Sequence, residues 1–332
     1  MHGLTRRLAV AALMGVGVAT SAMAQEKKTL IVAEPVHGTG YLPLYVAIQK
    51  GFFADEGIEV KILTIESGSG HTNAVLSGQA FAFIGGPEHD AFAKLKGAEL
   101  RAVVNVVDRG NVYFVTPKGK EPAAGQSMAE YFKGKTIAPG PYGGTPNSIT
   151  RYLMKKYNLD ATKDVTLVET TSSAVIAAVK TGQAQIGNVT EPFITRGIKE
   201  GIWGEPFINI PKELGPYAYS TLNVRLESIN KEPETVQKFV NGVVKGLAFT
   251  FANPEEAMKI AKKEFPTMAD EDIAATVTRS LKDEMWSKDG TISRKSWETA
   301  QAVVREANIL KQDVAYDDII DMRFLKGKSP TN

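Results

Sequence analysis

Ala74-Val75-Leu76-Ser77-Gly78-Gln79-Ala80 and Ala178-Val179-Lys180-Thr181-Gly182-Gln183-Ala184 are two versions of one phrase, 104 residues apart. The same offset sets Ser67-Gly68-Ser69 against Thr171-Ser172-Ser173, and Gly38-Thr39-Gly40 against Tyr142-Gly143-Gly144. It also sets the strand-like residues 61–65 against 165–169, and no gap is required across about fifty residues. Solenoid units repeat every 20–50 residues, so a period of this length reads instead as two similar lobes.

Each copy reads as strand, loop, helix, strand, loop, helix, strand. In the first, residues 30–33 are a short apolar run of the kind buried in a parallel sheet. Residues 42–50 follow as a helix, with Pro43 in its first turn and Gly51 as its stop. Residues 60–65 and 81–84 supply two more strands, with a helix between them that ends at Gly78. The second copy starts near residue 135, with helices over 147–157 and 174–180. Strands alternating with helices imply an α/β fold with mainly parallel sheets and right-handed crossovers. After about residue 225 the spacing becomes helical, with helices expected over 254–264, 270–281, 294–307 and 317–325 and one opened by Pro233.

The beginning of the chain reads as an export signal. Arg6 and Arg7 precede an uncharged apolar stretch over 8–19, and Ala22-Met23-Ala24 fits a small-x-small cleavage site. Residues 1–24 are therefore set apart. The two expected lobes are residues 25–115 with 221–332, and residues 116–220. The chain has 39 Lys and Arg against 37 Asp and Glu. The signal takes two arginines and no acid, so the remainder is formally neutral, with no general field for nucleic acid. There is no cysteine, hence no disulfide and no thiol nucleophile. A freely soluble exported protein without a lipid-bearing cysteine points to the periplasm.

In open parallel sheets, ligands bind beyond the carboxyl ends of the strands. Those loops are residues 34–41, 66–71 and 85–89 in the first copy, and 139–145, 170–174 and 188–192 in the second. From them come the candidate ligand-binding residues His37, Thr39, Tyr41, Ser69, His71, Glu88, His89, Tyr142, Thr145, Ser172, Asn188, Glu191 and, from a later strand, Tyr219. Three loops open helices, whose free N–H groups favour an anionic or acceptor-rich group. The competing role is plain N-capping by Ser69, Thr145 or Ser173. All three histidines after the signal lie in first-copy loops, but no His-x-x-x-His pair accompanies them, so the reading is of no metal and no cofactor. Residues 111–116 and 219–224 are expected to cross between the lobes as hinges.

At this point the chain resembles the periplasmic binding proteins of the nitrate/sulfonate/taurine class, relatives of the thiamine-pyrimidine synthases. The residues that carry the likeness are Tyr41-Leu42-Pro43-Leu44-Tyr45-Val46-Ala47-Ile48-Gln49-Lys50-Gly51-Phe52-Phe53 and Glu56-Gly57-Ile58-Glu59-Val60. Leu76-Ser77-Gly78-Gln79-Ala80-Phe81-Ala82-Phe83, Glu191-Pro192-Phe193 and Phe251-Ala252-Asn253-Pro254-Glu255-Glu256-Ala257 extend it. The resemblance implies a type II periplasmic binding protein fold. It implies two α/β lobes joined by two crossing strands, with the C-terminal helices returning to the first lobe. It also implies a monomer that closes on a small-molecule solute and delivers it to an inner-membrane ABC permease. The quoted motifs are framework and leave the solute open among sulfonates, carboxylates and N-heterocycles.

Two rival functions remain at this stage. The synthase enzymes of the same fold resemble cysteine-bearing proteins, and this chain lacks cysteine, a Gly-x-Ser-x-Gly elbow, a His-Glu-x-x-His helix and a P-loop. A ligand-sensing partner of a membrane receptor would use the same closure.

Overall fold

The computed structural model describes residues 27–325, and the export signal read at 1–24 lies outside the described residues. Ten strands follow in chain order. They are β1 Lys28–Glu34, β2 Ile58–Thr64, β3 Ala82–Gly85, β4 Leu100–Arg109, β5 Tyr113–Val115, β6 Thr136–Ala138, β7 Thr166–Leu167, β8 Ile186–Val189, β9 Ile208–Asn209 and β10 Pro216–Arg225. They form two five-stranded sheets of matching topology, ordered β2-β1-β3-β10-β4 and β7-β6-β8-β5-β9. In the first, β1 runs parallel to β2 and β3, while β10 lies antiparallel between β3 and β4. In the second, β6 runs parallel to β7 and β8, while β5 lies antiparallel between β8 and β9.

The chain passes between the sheets at residues 110–112 and again at 210–215, so each expected hinge strand is the antiparallel member of a sheet. This moves the division drawn from sequence. β5 falls before residue 116 yet pairs into the second sheet, and residues 216–220 of β10 belong with the first. A hydrogen-bonded ladder, not the point where the pattern changes, decides membership.

The repeat is visible atom by atom around its defining phrase. Ala80 N donates to Ala74 O at 2.9 Å, and Ala184 N donates to Ala178 O at 2.9 Å. Gly78 and Gly182 end their helices with φ of +81° and +76°, a conformation that costs glycine little. The offset is not constant, however. Pro43 and Pro146 occupy the second position of helices Leu42–Gln49 and Thr145–Lys156, which is an offset of 103. Phe81 N reaches Ile31 O, whereas Gln185 N reaches Thr136 O, an acceptor offset of 105. The gap-free register is therefore corrected: connecting loops absorb single residues because they carry no ladder to break.

Two expected elements are shorter. The second-copy strand at 165–169 is only β7, an edge strand with one neighbour. The helix expected at 317–325 divides into Tyr316–Ile319 and a 3₁₀ turn, Met322–Phe324. Between them Ile320 pairs in parallel with Ala102, and Asp321 N donates to Ala102 O at 2.9 Å. The free edge of β4 takes up this extended segment, which blunts the edge.

Helix Pro233–Ala252 lays Val236, Phe239, Val240, Val243 and Leu247 into the core beside helix Leu42–Gln49. A Cβ on Gly246 would lie 2.4 Å from Pro43 O, so the two backbones cross where only glycine fits. Helix Asp270–Lys282 packs on Phe193–Lys199, and Arg294–Glu306 packs on Thr145–Lys156. The C-terminal helices thus touch both halves. No helix among the described residues is long and apolar enough to cross a membrane.

Candidate functional site

The six loops beyond the parallel strands meet, and they enclose a cavity of about 50 Å³. The first half contributes Pro35, Val36, Gly38, Gly40, Tyr41, Ser67, His71, Gly85 and His89. The second contributes Pro141, Gly144, Thr145, Pro146, Ser172, Thr190 and Glu191. Asn111 enters from the first crossing, and Tyr219 and Ser220 enter from β10. Of the thirteen residues proposed from sequence, Tyr41, His71, His89, Thr145, Ser172, Glu191 and Tyr219 line this space.

The halves are latched shut around it. Thr145 Oγ1 donates to Glu88 Oε1 at 2.6 Å, a buried contact across the cleft. His89 Nε2 lies 3.1 Å from Gly143 O, and its Nδ1 lies 3.1 Å from Gly86 O. A neutral imidazole can donate to only one of those carbonyls. Ser173 Oγ donates to Glu66 Oε2 at 2.7 Å nearer the surface. The backbones also meet: a Cβ on Gly68 would stand 1.8 Å from Tyr142 O.

Several buried polar atoms at the cavity have no partner among the described residues. They are both ring nitrogens of His71, Asn111 Oδ1 and Thr190 Oγ1. His71 is 1% exposed and packs edge-on to Phe83 and His89. Its pKa is driven well below the usual imidazole value, first by burial and then by His89. His71 is therefore a neutral ring offering one donor and one acceptor. An unmet buried polar group costs about 1–3 kcal/mol, which a guest that pairs with it recovers.

The other candidates sit elsewhere. His37 Nδ1 pairs with Glu34 at 2.9 Å, and its ring packs in a cluster with Tyr45 and Phe265. The Glu34 hydrogen bond raises its pKa, against burial. Thr39 is buried off the cavity wall. Ser69 precedes helix Gly70–Leu76 but makes no capping bond; Ser67 Oγ accepts from Gly70 N instead, at 2.6 Å. Thr145 is the first residue of its helix rather than the cap, and Ser173 donates to Glu66, so none of the three expected caps forms. Glu88 is a latch beside the cavity. Tyr142 is 62% exposed at the rim, with Arg151 over its ring at 5.3 Å. Asn188 stands behind the wall, donating to Pro146 O at 2.9 Å and to Thr150 Oγ1 at 3.0 Å, which positions the start of helix Thr145–Lys156.

Glu191 lines the cavity, but its carboxylate is engaged. It accepts from Thr195 Oγ1 at 2.8 Å, Thr195 N at 3.3 Å and Thr276 Oγ1 at 3.2 Å. Arg279 Nε approaches it to 3.1 Å without hydrogen-bond alignment, so we treat that approach as a charge contact. Burial raises its pKa in spite of these partners.

Sequence reasoning missed Asn111, Thr190, Ser67 and Ser220. Asn111 lay in a segment read only as a hinge, and Thr190 was overshadowed by its acidic neighbour. Gly40 was the available signal: a Cβ there would lie 2.3 Å from Asn111 Nδ2, so that glycine admits the amide.

Comparison with known proteins gives the same architecture. A solved structure from Bordetella bronchiseptica RB50 is 22% identical with a TM-score of 0.77, covering 91% of this chain and 96% of its own. The alkanesulfonate-binding protein SsuA from Xanthomonas axonopodis pv. citri is 15% identical with a TM-score of 0.73, over 90% and 99% of the two chains. In sequence, the riboflavin-binding protein RibY of Chloroflexus aurantiacus is 26% identical over 303 residues, 87% of this chain and 83% of RibY. SsuA and RibY are named as binding proteins, not enzymes, and the fold is that of the periplasmic binding proteins. Residues 39–257, about two thirds of the sequence, match the family described as NMT1/THI5 like, and the chain belongs to that family.

Proposed function

We propose that this protein is a periplasmic solute-binding protein that captures a small organic solute between its two lobes and delivers it to an inner-membrane ABC permease. The two lobes are centred on the two sheets, with residues 110–112 and 210–215 as the hinge, and the protein acts as a monomer. One observation carries the reading: loops from both sheets close on a cavity whose wall holds buried, unpartnered polar atoms from His71, Asn111 and Thr190. Such atoms are an energetic cost to the fold and a gain to a guest. Support also comes from a structural neighbour from Staphylococcus aureus named as the ligand-binding component of an ABC-type import system, and from SsuA, named as an alkanesulfonate-binding protein. Closure that both lobes must make together gives a permease a surface that differs between free and loaded protein.

The test pairs small-angle scattering with thermal unfolding across a solute panel. A ligand at a hundred times its dissociation constant adds about 2.7 kcal/mol of stability. The expected result is a solute that raises the unfolding temperature and shrinks the radius of gyration together. Stabilisation without compaction would refute capture between the lobes. Loss of uptake of that solute on deletion of the gene would separate transport from sensing.

A further inference from the structure

We infer that the solute taken by this cavity carries no net charge and is recognised along an edge that sets a hydrogen-bond donor beside an acceptor. The inference rests on the capture reading above and narrows it.

No lysine or arginine lines the cavity, and its one ionisable carboxylate, that of Glu191, is held by Thr195 and Thr276 and touched by Arg279. Arg279 is itself occupied by Glu191 and, through both terminal nitrogens, by Glu205. An anion would enter without a counter-ion, and a cation would find no free carboxylate on the wall. Either would lose its hydration with nothing to replace it, which makes burial of a bare charge the least favourable outcome.

The helix starts do not rescue an anion. Leu42–Gln49 and Thr145–Lys156 both open beside the cavity, and each has proline at its second position, which removes one of the few free N–H donors. At the second of them the Glu88 carboxyl already accepts from Thr145. A sulfonate or nitrate placed there would face that carboxyl. The expectation of an anionic group, drawn from loops that open helices, loses its footing here.

The titratable groups around the cavity report the same environment. Burial raises Glu88 and Glu191 and lowers His71, so charge of either sign is disfavoured. The unmet atoms of the lining residues are neutral: the His71 ring, Asn111 Oδ1 and Thr190 Oγ1; Glu88 Oε2, also unmet, lies beside the cavity on a carboxyl that burial raises. A planar ring or amide edge with one N–H and one carbonyl side by side complements that set, with the aromatic residues Tyr41 and Tyr219 in the lining. The sulfonate and nitrate in the names of structural neighbours at 14–17% identity speak for shared fold alone.

The experiment is calorimetric titration at pH 7 with matched pairs: uracil and orotate, nicotinamide and nicotinate, ethanesulfonamide and ethanesulfonate. Nitrate and benzylamine serve as simple ions of each sign. The neutral member of at least one pair is expected to bind, at least about 100-fold more tightly than its ionised partner. Thr190→Val, which keeps the shape and removes the hydroxyl, is expected to weaken that binding about fivefold or more without lowering the unfolding temperature of the free protein. An ionised member, nitrate or benzylamine binding as tightly as its neutral counterpart overturns the charge rule and leaves solute capture intact. Binding by none of the probes counts against capture and removes the charge rule with it.

Discussion

The two halves share a topology but not a composition at the cavity. The first sheet has two strands of seven residues and two of ten around a four-residue β3, and its loops bring Tyr41, His71 and His89 against a buried layer of Glu34, Glu88 and Asp90. The second sheet has strands of two to four residues, and its loops bring Pro141, Gly144, Thr145, Pro146, Ser172 and Thr190, with Glu191 as the one large polar side chain. Short strands with small residues let the backbone itself come close. The first half supplies most of the large polar wall, and the second presents mainly small residues and backbone as a lid.

The sharpest way to break this division is to stop the lid from arriving. Gly68 is in the first half, and the three atoms nearest to a Cβ there are all backbone of the second: Tyr142 O at 1.8 Å, Tyr142 C at 2.7 Å and Gly144 N at 3.0 Å. Gly68→Ala should therefore fold normally and bind its solute about 100-fold or more weakly, because the clash falls on closure. Scattering should show the variant staying extended with solute present. If it compacts and binds like the parent, the lid does not close along this line.

A smaller effect tests the latch. Thr145→Val keeps the shape at the helix start but leaves the buried Glu88 carboxyl without its 2.6 Å donor. Removing one partner of a buried hydrogen bond costs about 1–3 kcal/mol, and the loss falls on the closed form alone. Affinity should fall about tenfold, mostly through faster release. An equal loss in the association rate would mean that the contact forms before closure instead.

These contrasts also explain what the sequence could and could not reveal. Topology was legible because apolar runs, glycine stops and the repeated Ser-Gly-Gln and Thr-Gly-Gln phrases are local signals. The loops that line the cavity were legible because strand ends define them. Which side chain faces the guest was not. Glu191 and Glu88 look like ligand carboxylates in sequence, yet one is held by Thr195 and Thr276 and the other by a threonine from across the cleft. Those partners lie 4 to 85 residues away along the chain, and no spacing rule announces them. His37 was drawn away by Glu34 and Phe265 in the same manner.

The first half should also carry a pH signature of its own. Asp90 is fully buried in the first half, and neither of its oxygens has a partner among the described residues. Burial raises its pKa well above 3.8; nearby Arg101 opposes the shift and Glu88 adds to it. A raised carboxyl contributes stability that is fully present below the unfolded value and is lost as pH rises through the folded one. Asp90→Asn removes the titration. It should match the parent near pH 3.5 and exceed it by about 1–3 kcal/mol at pH 8, since each tenfold change in proton affinity is worth about 1.4 kcal/mol. Urea midpoints at the two pH values measure this, and a constant difference between them would show that folding leaves the proton affinity of Asp90 unchanged.

The smallest effect belongs to the second contact across the cleft. Ser173 donates to Glu66 at 2.7 Å, a length close to that of the Thr145–Glu88 bond, and it joins the same two halves. Its two partners are exposed, so water replaces the bond when it breaks. Ser173→Ala should change affinity less than about twofold, and the change should shrink further in salt, since the acceptor is a wet carboxylate. The two latches are alike in geometry, so a difference between them isolates burial as the cause. If Ser173→Ala weakened binding as much as Thr145→Val, closure would be held by the number of cross-cleft bonds, and the distinction drawn between a buried wall and a solvated rim would fail.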